Sequence, residues 1–187
     1  MRLWLTTVLA LASGSSATRA QVFTVQSASP TTLGAIVAAP AGTSTLRVDP
    51  ATGAVTNVAG AANRLTPGTA RSLVTIACGN QAACDVRVAV TWTGTPTNRA
   101  GALQNFTVST AGTSAAMVSP PGTGNAITFT LGPIGRGGSK TFWLGFDFPV
   151  AGDSSGAASG LSSSQFLVTA SRTSGAAASS LAGLAQG

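Results

Sequence analysis

Residues 85–92 read Asp-Val-Arg-Val-Ala-Val-Thr-Trp. Val86, Val88, Val90 and Trp92 fall on one parity, and Asp85, Arg87, Ala89 and Thr91 on the other. An extended chain sends successive side chains to opposite faces, so this alternation predicts a strand with one face in a core and one in water. The same period recurs on both sides of it. Before it come Val74, Ile76 and Cys78; after it come Phe106 and Val108, then Ile127, Phe129 and Leu131. Phe142, Leu144, Phe146 and Phe148 follow, then Phe166, Val168 and Ala170. Weaker strand signals lie at Phe23 and Val25, at 33–38 (LGAIVA), at Leu46 and Val48, and at Val55 and Val58.

Clusters of Gly, Pro, Ser, Thr and Asn separate these runs, as in SPPGTGN at 119–125 and GPIGRGG at 132–138. Beyond residue 20 no segment shows an extended apolar period of 3.6. About eight to ten short strands divided by turns predict an all-β fold, an immunoglobulin-like antiparallel β-sandwich. An outer-membrane barrel fits less well, because tyrosine is absent and aromatic girdles need rings. The sandwich is expected over 21–172. The Gly, Ala and Ser-rich segment 173–187 is expected to be a flexible tail, or at most a frayed helix over AAASSLAGLA.

Residues 1–20 read as a secretory signal peptide. Arg2 is the positive start, 3–12 (LWLTTVLALA) a short apolar stretch, and Thr18 and Ala20 the small residues before the cut. Cleavage is expected after Ala20, with Ala17 as the second choice. The apolar stretch is too short to span a bilayer, so the mature chain is expected to carry no stable membrane span.

The ten basic and four acidic residues include no Glu, and there is no His. Without Arg2 and Arg19, eight basic residues remain against Asp49, Asp85, Asp147 and Asp153. The bases are scattered, whereas nucleic-acid binding wants them clustered and interleaved with aromatics, so no nucleic-acid partner is expected. Charged residues make up only 7% of the chain. Such a composition suits secreted β-proteins, and it leaves sheet edges poorly guarded by charge.

Cys78 and Cys84 flank GNQAA. In an exported chain this spacing predicts a structural disulfide across a turn between two strands. The C-x-x-C spacing of redox pairs is missing.

Apparent catalytic motifs have simpler readings. Gly152-Asp153-Ser154-Ser155-Gly156 matches G-x-S-x-G, but no histidine exists to take the serine proton, and nothing places Lys140 beside Ser154. In 132–141 (GPIGRGGSKT) Ser139 precedes Lys140 where a phosphate-binding loop needs Gly, and a strand follows where that loop opens a helix. Zinc and calcium lack their usual ligand sets. Asp147 and Asp153 are the only acids close in sequence, and they read as turn or solvation residues rather than an acid/base pair. Asn105-Phe106-Thr107 fits a glycosylation acceptor and reads as incidental within a strand. The expectation is no catalytic residue, no cofactor and no metal.

Residues 33–56 (LGAIVAAPAGTSTLRVDPATGAVT) resemble the opening of the bacterial family called domain of unknown function 4402. Leu33-Gly34-Ala35-Ile36 matches its Phe-Gly-x-Ile/Val element, with Leu33 in place of the aromatic. Asp49-Pro50-Ala51-Thr52-Gly53 matches its turn. Thr141-Phe142-Trp143-Leu144-Gly145 is similar to its late aromatic strand, and 151–160 and 166–170 to its closing region. The family's pattern is similar to that of fimbrial subunits and spore-coat-U-like secreted sandwiches. The resemblance implies a surface role and carries no catalytic residues with it.

The expected function is thus an exported structural or adhesive cell-surface protein, a pilus-like subunit being one form of it. Residues 21–29 could complete a neighbour's sheet by strand addition, or pair within their own domain as its first strand. The alternative function is a monomeric secreted binding module, for carbohydrate for example, with Trp143 as the exposed stacking candidate and Trp92 turned to the core.

Overall fold

A computed structural model describes residues 23–80, 83–94, 96–119, 124–154, 161–173 and 178–186. Residues 1–20, read as a signal peptide, lie outside the described residues. No helix occurs among the described residues. The strands, in chain order, are β1 (Phe23–Ala28), β2 (Thr31–Thr32), β3 (Ile36–Val37), β4 (Thr43–Val48), β5 (Val55–Ala59), β6 (Asn63–Arg64) and β7 (Ser72–Cys78). After them come β8 (Cys84–Trp92), β9 (Gln104–Ser109), β10 (Met117–Ser119), β11 (Ala126–Ile134), β12 (Ser139–Ala151), β13 (Ser163–Arg172) and β14 (Ala178–Gln186). The fold is all-β, as expected. The strands outnumber the expectation mainly through short pieces, since β2, β3 and β6 have two residues each.

The first sheet is organised around β12. Trp143 stands opposite both Leu73 of β7 and Ser109 of β9, and Asp147 opposite both Arg47 of β4 and Gln104 of β9. β9 therefore lies along one edge of β12, while β7 and β4 follow one another along the other. β1 extends this sheet beyond β7, and β5 beyond β4. The second sheet runs β10-β11-β8-β13-β14-β2, and β3 pairs with β6 separately.

The two sheets share one core, the layering of a β-sandwich. Val86, Val88 and Val90 are fully buried, as their alternation requires, and so are Phe142, Leu144, Phe146 and Phe148. Rings from opposite sheets meet there. Phe129 of β11 and Phe142 lie edge to face with centroids 5.2 Å apart, and Phe166 of β13 touches both Phe106 of β9 and Phe146. Tilted and edge-on pairs suit the aromatic quadrupole and add to the burial of apolar area.

Cys78 ends β7 in the first sheet and Cys84 begins β8 in the second. The two cysteines form a disulfide with their Cα atoms 6.0 Å apart. The bond spans a corner where the chain passes from one sheet to the other. The glycine-rich segment 135–138 is a strand-to-strand turn resting on this corner, with the Cys78 N–H donating to the Gly138 carbonyl at 2.8 Å.

One expectation is corrected, and one open alternative is decided. Within 173–187, expected as a flexible tail, residues Ala178–Gln186 instead form β14, which pairs along the whole of β13 up to Ser171 and runs parallel to β2 at its end. The small residues that suggested mobility are what the packing demands. Gly183 lies opposite Phe166, and a Cβ there would sit 2.1 Å from the ring, so the aromatic covers the glycine. Ala185 is fully buried. Of the two alternatives for 21–29, the described residues follow pairing within the domain: Phe23–Ala28 pair antiparallel with β7, and Phe23 and Val25 enter the core. Two apolar side chains on one parity gain more from burial than from solvent.

Candidate functional site

The outer face of β12 carries Trp143, Gly145 and Asp147, and a polar site is assembled over it. At Gly145 the end of β4 meets the start of β7. A Cβ on Gly145 would sit 2.3 Å from the Val48 carbonyl oxygen and 2.6 Å from Pro50 Cδ. The chain leaving β4 therefore crosses directly over the strand, which only glycine permits.

That chain turns at Asp49-Pro50-Ala51-Thr52-Gly53. Asp49 Oδ1 accepts from the N–H groups of Ala51 and Thr52, both at 2.8 Å, and from Thr52 Oγ1 at 3.1 Å. The Thr52 N–H foremost, with further help from its hydroxyl, the Ala51 N–H and the charge of Arg71, holds the Asp49 carboxyl below its ordinary value. Aspartate at the head of a turn commonly caps it in this way. Gly53 adopts φ +75°, and its N–H returns to the Asp49 carbonyl at 2.8 Å.

Asp147 lies on the other side of Gly145 and is only 2% exposed. Arg47 donates from Nε to Oδ1 at 2.7 Å and from Nη2 to Oδ2 at 2.8 Å. Asn105 Nδ2 donates to Oδ2 at 2.8 Å. The carboxylate is buried because three N–H donors replace its water. Its hydrogen bond and charge raise the Arg47 pKa further. The Arg47 side chain itself is half exposed.

A bulge aims Asn105. β9 pairs Thr107 with Gly145 and Gln104 with Asp147, so Asn105 and Phe106 together oppose Phe146. Asn105 takes φ +47°, a left-handed conformation that Asn tolerates better than most residues. Its amide then faces Asp147 while the Phe106 ring enters the core.

A cleft of about 400 Å³ opens between the Asp49-Pro50 turn and β9, with Arg47, Asn105, Phe106 and Thr107 in its lining. Arg71 braces the turn from behind. Its Nη1 donates to the carbonyls of Ala51 at 2.6 Å and Pro50 at 3.2 Å, and its guanidinium lies 3.7 Å from the centre of the Trp143 ring. Trp143 thus stands on the outer face as expected, but one face of its ring carries Arg71 and is no open stacking platform. Trp92 packs against the core, with its Nε1 donating to Ser164 Oγ at 3.1 Å.

The two acids weighed as a pair are held by different arginines, Asp147 by Arg47 and Asp153 by Arg99. Lys140 lies near the start of the 13-residue β12 and Ser154 beyond its end. Ser155 and Gly156 of the serine motif lie outside the described residues. Among the described residues no three His, Cys, Asp or Glu side chains gather as a metal site. No helix among them is long and apolar enough to cross a membrane.

Arg47, Asp49, Asn105 and Thr107 did not stand out in the sequence as a site. One signal points to them. Asp147 is the lone acid inside the apolar run FWLGFDF, and a buried acid needs a cationic partner from another strand.

In comparison with known proteins, no family model matches the chain, and no curated protein or solved structure matches it either.

Proposed function

We propose that the chain is an exported structural or adhesive protein of the cell surface, without catalytic activity. The observation that carries this reading is the Cys78–Cys84 bond at the corner between two sheets, because structural disulfides belong to oxidising compartments. The signal-peptide pattern of 1–20 and a chain with only 7% charged residues support it. An immunoglobulin-like character of the sandwich and the resemblance to the domain of unknown function 4402 family belong to the same proposal. Partners would be further surface subunits or copies of the chain. Since β1 is used within its own sheet, they would meet a different sheet edge.

A second reading is favoured by the cleft beside Asp147: a secreted binding module that works as a monomer. Size-exclusion chromatography and electron microscopy of the purified chain separate the two.

Export is tested by expressing the full chain in a bacterial host and measuring intact mass and thiol alkylation. The expected result is a chain beginning at Gln21 that takes up no alkylating agent before reduction. An unprocessed chain with two reactive thiols inside the cell overturns the proposal.

A further inference from the structure

The cleft between the Asp49-Pro50 turn and β9 has polar groups left over once its internal bonds are counted. The Asp147 carboxylate can only accept, so the Asn105 amide nitrogen faces it and Asn105 Oδ1 points away. Arg47 commits Nε and one N–H of Nη2 to Asp147, which leaves Nη1 to donate elsewhere. Asp49 uses Oδ1 for its turn, which leaves Oδ2 to accept. The Thr107 hydroxyl can do both, and Thr107 is exposed.

The charges around the cleft cancel. Arg47 faces Asp147, and Arg71 lies near Asp49. An anionic ligand would find no unopposed cation, and a cationic one no unopposed acid. A ligand that matches is neutral and can donate and accept at adjacent atoms, as vicinal hydroxyl groups do. The volume falls within the range of small-molecule sites, and Pro50 adds apolar lining for C–H groups. The polar groups are also held in place beforehand: Arg47 by two bonds to a buried carboxylate, Asn105 by a third, and Asp49 by its turn. Such preorganisation lowers the entropic cost of binding.

We infer that this cleft binds a neutral sugar residue through Arg47, Asp49, Asn105 and Thr107. The inference deepens the binding-module reading and rests on it. It assigns the ligand to the Asn105 cleft rather than to either tryptophan.

The test is an NMR titration of the purified chain with glucose, galactose and mannose, with glucuronate and glucosamine as charged counterparts, and with maltose, cellobiose and lactose as glycan fragments. Asn105→Gly removes the amide and keeps the left-handed backbone; Thr107→Ala removes the hydroxyl at an exposed position. A cooperative thermal transition above the titration temperature establishes that each variant folds, with that of Asn105→Gly expected lower because Asp147 loses a donor. A neutral sugar is expected to shift the Asn105 and Thr107 amides and the Arg47 Nε–H saturably, and Asn105→Gly to weaken it about tenfold. Tighter binding of the disaccharides identifies a glycan as the source, and equal binding a free sugar; both uphold the inference. It is overturned if no neutral sugar shifts these signals, if glucuronate or glucosamine binds tighter, or if both variants bind like the parent chain. Size-exclusion chromatography of the same sample reports whether the chain is a monomer, so a monomeric chain that fails to bind sugar counts against the cleft alone, and an assembled chain against the binding-module reading.

Discussion

On its inner face β12 presents Phe142, Leu144, Phe146 and Phe148 to the opposite sheet; on its outer face the same strand carries Trp143, Gly145 and Asp147 beneath a cover of side chains and turn. The inner face is held by contact area alone. Any large apolar side chain of fitting shape serves there, and the energy grows with the surface removed from water. The outer face is held by directed bonds, each with one donor and one acceptor in a set geometry. Asp147 without Arg47 is a liability, whereas Phe146 without one neighbour is merely less well packed. Burial alone does not separate the two faces, since Asp147 and Phe146 are both almost wholly shielded from water.

Truncating the inner face is the largest perturbation. Phe146→Ala is expected to cost about 3–5 kcal/mol, the usual range for a buried aromatic, read as a shift in the urea midpoint. A cost below that of any outer-face variant would erase the distinction between the faces. Arg47→Ala comes next. It leaves a carboxylate buried with Asn105 alone, and about 1–3 kcal/mol is expected after allowing for the exposure of the arginine. Adding Asp147→Asn should recover part of that loss, and a strictly additive double variant would show that the pair is not coupled.

Arg71→Ala should be milder, about 0.5–1 kcal/mol for the cation over the Trp143 ring. Trp143 emission should shift to the red as water reaches the ring, and unchanged fluorescence would refute the stacking. The smallest effect is that of pH on Asp49. Its folded pKa lies below the ordinary 3.8, so its contribution is complete above that value and is lost as pH falls through the lower folded one. Asp49→Asn cannot titrate, and its acid unfolding curve should be less steep below about pH 4. Superimposable acid limbs would remove Asp49 from the account.

The inner face was legible because a period of two needs no knowledge of partners. Val86 to Val90 and Phe142 to Phe148 announce strands wherever their neighbours lie. The cysteine spacing was similarly local, though not the fact that its turn joins two sheets. The outer face was not legible. Arg47 and Asp147 stand 100 residues apart, and no local pattern ties them. The bulge that turns Asn105 depends on the register of β9 against β12. β14 escaped for another reason: its Gly and Ala content looks like a linker until Phe166 is placed over Gly183. Local composition describes what a segment prefers alone, and pairing overrides it.

The central position of β12 also has a consequence in time. β4, β7 and β9 each bond to β12, and none of the three is bonded to another. A chain emerging from its N-terminus can close only the β1–β7 and β4–β5 pairs of this sheet before Ser139 arrives. Until then their open edges have no mate, and contacts as distant as Arg47 with Asp147 close late and slowly. An emerging chain must therefore be kept from premature association through much of its synthesis, and a nascent chain stalled before Ser139 should be more prone to aggregate than one stalled after Ala151.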